Sequence, residues 1–213
     1  MNLPIGYFAF HKNAFINYQL NRWYSLGFTR KKDIEQVGLK TITFQDYVTE
    51  FTRLAEESIA ENRFKNAAFY YRAAEFLVPP NHNNKRPLYD KFTETFSRAF
   101  EQDAIERTRV AYAGSFLPVL CLMSTTSNNN SNKKGTILAF GGFDSFIKEF
   151  YCMWSYFAHT DYEVIAFEGP GQGVVLRKYN LAFDHDWEKP TSAILEFFNI
   201  SDATLIGVSM GGY

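Results

Sequence analysis

The chain has 213 residues, 46% hydrophobic and 18% aromatic, enough for one large core or two smaller ones. Its 22 basic and 23 acidic side chains leave a formal net charge of −1, which argues against nucleic acid or an anionic membrane surface as partner. Cys121 and Cys152 are too few for a disulfide framework, no apolar run is long enough for a membrane helix, and the N-terminus mixes apolar residues with His11, Lys12 and Asn13. A soluble cytoplasmic chain with two buried thiols is expected.

Residues 1–103 read as helical. Phe8–Leu26 is aromatic-rich with rough helical spacing, and Gly27 and the basic cluster in Thr29–Asp33 end it; that cluster and Lys133–Lys134 read as solvated surface. Thr43 is a good N-cap, with Asp46 in the capping-box position. Behind it Phe44, Tyr47, Val48, Phe51, Leu54, Ala55 and Ile59 recur at three and four, an amphipathic stripe. Asn62 is placed to cap a third helix, Arg63–Leu77, which Pro79 and Pro80 stop. After a loop at Asn81–Arg86, Pro87 opens a fourth helix with the stripe Leu88, Phe92, Phe96, Ala99 and Phe100. The segment shows no repeat period, which argues against a tetratricopeptide array.

Near residue 104 the pattern changes. Ile105–Tyr112 and Phe116–Met123 read as an antiparallel hairpin around Gly114, and Pro118 puts it at or near a sheet edge. Ser124–Lys134 is a polar loop tip. Thr136–Phe140 is a third strand, and Asp144 or Ser145 caps a helix through about Ala158, with Phe146, Phe150 and Trp154 on its buried face. Glu163–Phe167 is a fourth strand. Trp187–Asn199 is a helix with Asp186 at its cap and Pro190 in its first turn, and Ala203–Val208 is a fifth strand. This alternation predicts a parallel sheet with right-handed crossovers.

Gly207-Val-Ser-Met-Gly211 is a G-x-S-x-G pentapeptide directly after a strand, the context of a nucleophile elbow, with Ser209 as the nucleophile. Gly141-Gly142-Phe143-Asp144 follows the third strand and is expected to open a helix, where backbone N–H groups favour negative charge. A hydrolase of this architecture would take one oxyanion donor from this loop, at Phe143, and the other from Met210, with Asp144 and Glu168 on the pocket wall. Glu168-Gly-Pro-Gly-Gln-Gly173 lacks the lysine and the spacing of a phosphate loop and reads as a rigid turn beside the pocket. Asp184, His185 and Asp186 are adjacent residues expected to point apart as a solvated loop, so no metal or other cofactor is expected.

Together Gly141–Ser145, Phe167–Gly173, Asp186–Pro190 and Gly207–Tyr213 resemble the α/β-hydrolase group that includes 2,6-dihydroxypseudooxynicotine hydrolase and the esterase-like fermentation–respiration switch protein. Asn62–Leu77, with Tyr-Tyr-Arg-Ala-Ala-Glu-Phe at 70–76, resembles the helical cap of that group. The resemblance implies an α/β fold: a helical cap-like segment at 1–103, then an incomplete hydrolase sheet at 104–213. That sheet would have about five strands, mostly parallel, with an N-terminal antiparallel hairpin. It also implies a serine hydrolase acting on an ester, amide or C–C bond of a small-molecule substrate, with the helical segment covering the pocket.

In this fold the triad runs Ser…Asp/Glu…His, yet only Met210–Tyr213 follow Ser209, and His11, His82, His159 and His185 all precede it. The expectation is a truncated hydrolase, inactive alone, whose fifth strand is an exposed edge. A complementing C-terminal hydrolase fragment on a second chain would make it a split enzyme. The rival from another class is a non-catalytic binding protein that uses residues 1–103 as an interaction module.

Overall fold

The computed structural model describes residues 3–123 and 133–212. Most of the expected loop tip, residues 124–132, lies outside the described residues, as does Tyr213 of the last motif. The chain divides into two compact units between Asp103 and Ala104. Among the described residues, no helix is long and apolar enough to cross a membrane.

Among the described residues the first unit holds five helices: α1 (Ala14–Ser25), α2 (Lys31–Lys40), α3 (Phe44–Ala60), α4 (Phe64–Leu77) and α5 (Lys85–Ala99). The first is shorter than its aromatic pattern suggests. The Asn13 side chain caps it by accepting the N–H groups of Phe15 and Ile16. The residues before it instead form a non-helical strap held by side-chain amides. Asn17 Oδ1 accepts Phe10 N–H at 2.7 Å, and Asn21 exchanges hydrogen bonds with both backbone groups of Phe8 at 2.8 and 2.9 Å. Helix α2 was not expected, because the basic cluster reads as a helix stop. Its first-turn Asp33 is buried and accepts from Arg30 at 2.8 Å and from Tyr70 Oη at 2.6 Å, so the cluster opens a helix rather than closing one.

Helix α3 has the full capping box between Thr43 and Asp46, and it buries Tyr47, Val48, Phe51, Leu54 and Ala55; Phe44 stays exposed. Asn62 does not cap α4. It lies in the left-handed region at φ +57° and closes the C-terminus of α3. Its N–H reaches Ile59 O at 3.0 Å, and the next N–H, of Arg63, reaches Ser58 O at 2.7 Å, which is the Schellman pattern. Helix α4 packs its small face between α3 and α5, with Ala67, Ala68, Ala73 and Ala74 buried. Helix α5 buries Leu88, Tyr89, Phe92 and Phe96.

The second unit is built on a five-stranded sheet: β1 (Ile105–Tyr112), β2 (Ser115–Leu122), β3 (Gly135–Phe140), β4 (Tyr162–Phe167) and β5 (Thr204–Gly207), in the order β1-β2-β4-β3-β5. The hairpin β1–β2 turns at Ala113 and Gly114, both at positive φ, as a two-residue hairpin loop requires. Its edge placement is as expected. The β2–β4 ladder runs from Val119 to Leu122, and beyond it Pro118 accepts Glu168 N–H through its carbonyl. That ladder is antiparallel, so the parallel part is β4-β3-β5.

Among the described residues this unit has three α-helices: α6 (Tyr151–Ala158), α7 (Gly173–Tyr179) and α8 (Glu188–Phe197). Val119, Cys121, Leu138, Phe140, Ile165 and Phe167 pack on one face of the sheet with Val175 of α7 and Ile194 of α8. Alternate residues, among them Leu120, Ile137, Ala139 and Val164, are buried on the other face, and α6 packs against β2 and β4.

Three local expectations fail here. No helix opens at Asp144 or Ser145; a 3₁₀ turn, Ile147–Phe150, leads into α6. Helix α7 was missed, because Gly171 and Gly173 read as turn. Helix α8 has no side-chain cap, and Asp186 pairs instead with Lys189 and His185.

Candidate active site

The chain leaves β3 for its neighbour β4 on one side, then returns past β3 to β5 on the other. Loops at the carboxyl ends of such strands meet at the switch point, where open α/β sheets bind ligands. Here those loops are Gly141–Asp144 after β3, Glu168–Gln172 after β4, and Val208–Gly212 after β5.

Ser209 stands in the left-handed region at φ +57°, with only Val208 between it and the end of β5, and starts a 3₁₀ turn through Gly212. A non-glycine residue seldom takes this conformation, and such strain concentrates at functional positions. The turn is fixed from both sides: Val208 N–H donates to Phe140 O at 3.1 Å, and Gly211 N–H to Val208 O at 3.0 Å. Neither flanking glycine has room for a Cβ. One at Gly207 would collide with the Gly211 carbonyl, and one at Gly211 would lie 2.5 Å from Gly141 O. Gly142 lies against the serine itself, since a Cβ there would sit 2.8 Å from Ser209 Cβ. The structure therefore brings Ser209 and the Gly141–Gly142 loop into contact, with Phe143, Ser209 and Met210 exposed.

The other site candidates part company. Asp144 is exposed beside Phe143, whereas Glu168 is buried at 1% exposure and turned under α7. There its Oε2 accepts Val174 N–H at 2.9 Å, a favourable place for a carboxylate at a helix start. Gln172, to which the sequence reading gave no role, is equally buried. Its Nε2 donates to Gly141 O at 2.6 Å and Gly142 O at 2.8 Å, and its Oε1 accepts Gly169 N–H at 3.1 Å. The available signal was a glutamine among glycines, a side chain that both donates and accepts where backbones approach closely. Trp187 of the motif Asp186–Pro190 packs on Phe140 and Phe167, at ring distances of 5.4 and 6.0 Å.

None of the four histidines hydrogen-bonds Ser209 among the described residues. His11 Nε2 lies 3.1 Å from Thr41 O, His82 Nδ1 accepts Asn84 N–H at 3.1 Å, and His159 Nδ1 lies 2.6 Å from Ser155 O. His185 is bracketed by Asp184 at 3.0 Å and Asp186 at 2.9 Å. The ligand atoms of these three residues converge within 4.8 Å, against the expectation that they point apart, although the imidazole is 91% exposed.

No protein-family model matches the chain. By sequence it is similar to fungal hydrolases. It is 29% identical to 20-hydroxy-prefusarin hydrolase FUS2 of Gibberella moniliformis, over 80% of this chain and 46% of that protein. It is 33% identical to hydrolyase poxO of Penicillium oxalicum, over 72% and 41%, and 29% identical to hydrolase LUC6 of a Fusarium species, over 69% and 39%. The chain thus spans less than half the length of these relatives. Among solved structures it is similar to 2,6-dihydroxy-pseudo-oxynicotine hydrolase, with a TM-score of 0.66 at 21% identity over 90% of this chain and 58% of that one. AbyA5 gives a TM-score of 0.69 at 18% identity, over 85% and 52%.

Proposed function

We propose that this chain, which has the α/β-hydrolase fold and resembles fungal hydrolases in sequence, is the nucleophile-bearing part of a serine hydrolase. Its substrate is a small molecule cleaved at an ester, amide or C–C bond. Ser209 is the nucleophile, and the backbone N–H groups of Phe143 and Met210 receive the oxyanion. The observation that carries the reading is the left-handed Ser209 at the end of β5, in contact with Gly142 of the loop after β3.

A serine hydroxyl is a weak nucleophile at neutral pH until a base takes its proton. Among the described residues no imidazole hydrogen-bonds Ser209, so on this reading the acid and base of the triad are supplied by further hydrolase sequence or a complementing chain. Until they are supplied, only the oxyanion donors and binding contribute, and loss of triad members costs several orders of magnitude in rate.

The test is covalent labelling with a fluorophosphonate, read by mass spectrometry of the peptide carrying Ser209. The 213-residue polypeptide alone should react at the rate of Ser209→Ala, and free imidazole, as an external base, should raise labelling at Ser209 about tenfold or more. Rapid Ser209-dependent labelling without imidazole would show that the chain holds its own base. Labelling equal to Ser209→Ala even with imidazole would remove Ser209 as nucleophile.

A further inference from the structure

We infer that Gln172 is a positioning residue of this site: its buried amide holds the Gly141 and Gly142 carbonyls and so turns the Gly142 and Phe143 N–H groups outward as a donor edge. The inference rests on the reading of Ser209 as nucleophile, and it gives the oxyanion donors a cause that the sequence did not offer. A helix N-terminus was expected to present them, yet the helical turn after this loop starts only at Ile147.

The geometry supplies another means. Gln172 is 1% exposed, and all three of its side-chain hydrogen bonds go to backbone groups. The amide can sit only one way round, because the Gly169 N–H requires the oxygen and the two carbonyls require the nitrogen. Ser145 adds a second side-chain donor to Gly142 O, through its hydroxyl at 3.2 Å. No peptide bond here is cis. In a planar trans peptide the carbonyl and the following N–H point in opposite directions. Fixing Gly141 O and Gly142 O against Gln172 therefore directs the N–H groups of Gly142 and Phe143 away from it, on a loop that touches Ser209.

The side chain has to be an amide. A carboxylate in its place would set an anionic oxygen, where the NH2 now donates, against two carbonyl oxygens. A leucine would remove the amide's bonds to Gly141 O and the Gly169 N–H and leave Gly142 O only its Ser145 donors, so the loop peptides would rotate toward other partners, carrying the attached N–H groups with them.

The full chain as Gln172→Glu and Gln172→Leu decides the matter in two measurements. In imidazole, the limiting rate of fluorophosphonate attachment at Ser209 should fall about tenfold or more, since a lost oxyanion donor costs about 100-fold or more, while the half-saturating probe concentration stays within about twofold. Amide hydrogen exchange of segment 141–146 should quicken while that of β3 stays unchanged. Labelling within about twofold of the parent chain, unchanged exchange in 141–146, or an equal rise across β3 would each overturn the inference. If the parent chain labels no better than Ser209→Ala, the nucleophile reading falls. The exchange measurement then still decides whether Gln172 holds this loop.

Discussion

Asp33 shows how a charge is kept inside the first unit. Burial alone would raise its carboxyl, but the hydrogen bonds from Arg30 and Tyr70, with the Arg30 and Arg63 charges, outweigh this and hold it below the usual carboxylate range. Because the folded value is depressed, the group contributes stability that is complete above the ordinary value of about 3.9 and is lost as pH falls through the lower folded value. Asp33→Asn should lower the urea midpoint at pH 7, and the gap from the parent should narrow as pH drops below about 4. A gap that is constant from pH 7 to pH 3 would show that the lost hydrogen-bond geometry matters and the charge does not. Cys121 moves the other way: burial, reinforced by Glu106 and Glu163, pushes its thiol up to about 11, so it is a core side chain and not a reactive one.

Elements were legible where a residue acts on its own segment. Thr43 and Asp46 are three apart and bond each other's backbone, so the start of α3 could be read directly. Elements were illegible where the partner is distant in sequence. The strap before α1 depends on Asn17 and Asn21 reaching back to it, and α7 depends on Glu168 accepting a first-turn N–H. The glycine pair after β3 reads as a turn in the sequence, yet the side chain that bonds its carbonyls, Gln172, lies thirty-one positions from Gly141. Asn62 is a near miss of another kind, since asparagine suits both a helix start and a left-handed helix end. The two roles separate on mutation. At its observed φ of +57°, Asn62→Gly should hold or raise thermal stability, while Asn62→Ala should cost about 1 kcal/mol. A loss of stability in Asn62→Gly would restore the N-cap role, since glycine is a poorer N-cap than asparagine but a better left-handed helix end.

At the scale of the molecule, each of the two units contains an apolar cluster of its own residues. The helical unit buries large aromatic side chains, among them Trp23, Tyr47, Phe51, Phe69, Phe92 and Phe96, against one another. Trp23 and Phe76 stand 5.7 Å apart, and Trp23 Nε1 donates to Tyr47 Oη at 2.7 Å, so its buried polar atom is satisfied within the same unit. Buried charge is matched there too: Arg72 pairs with Glu75, and Lys85 lies 3.1 Å from Glu75 and donates to the Glu75 carbonyl at 2.8 Å. A unit with its own apolar core and matched charges meets the physical condition for folding alone. Residues 1–103, expressed by themselves, should therefore give a helical far-ultraviolet spectrum and a single cooperative melt. Within that fragment Phe92→Ala should lower stability by about 3–5 kcal/mol, because Phe92 is fully buried and its removal leaves a cavity. A non-cooperative melt, or indifference to Phe92→Ala, would mean that the helical core closes only with help from residues beyond Asp103.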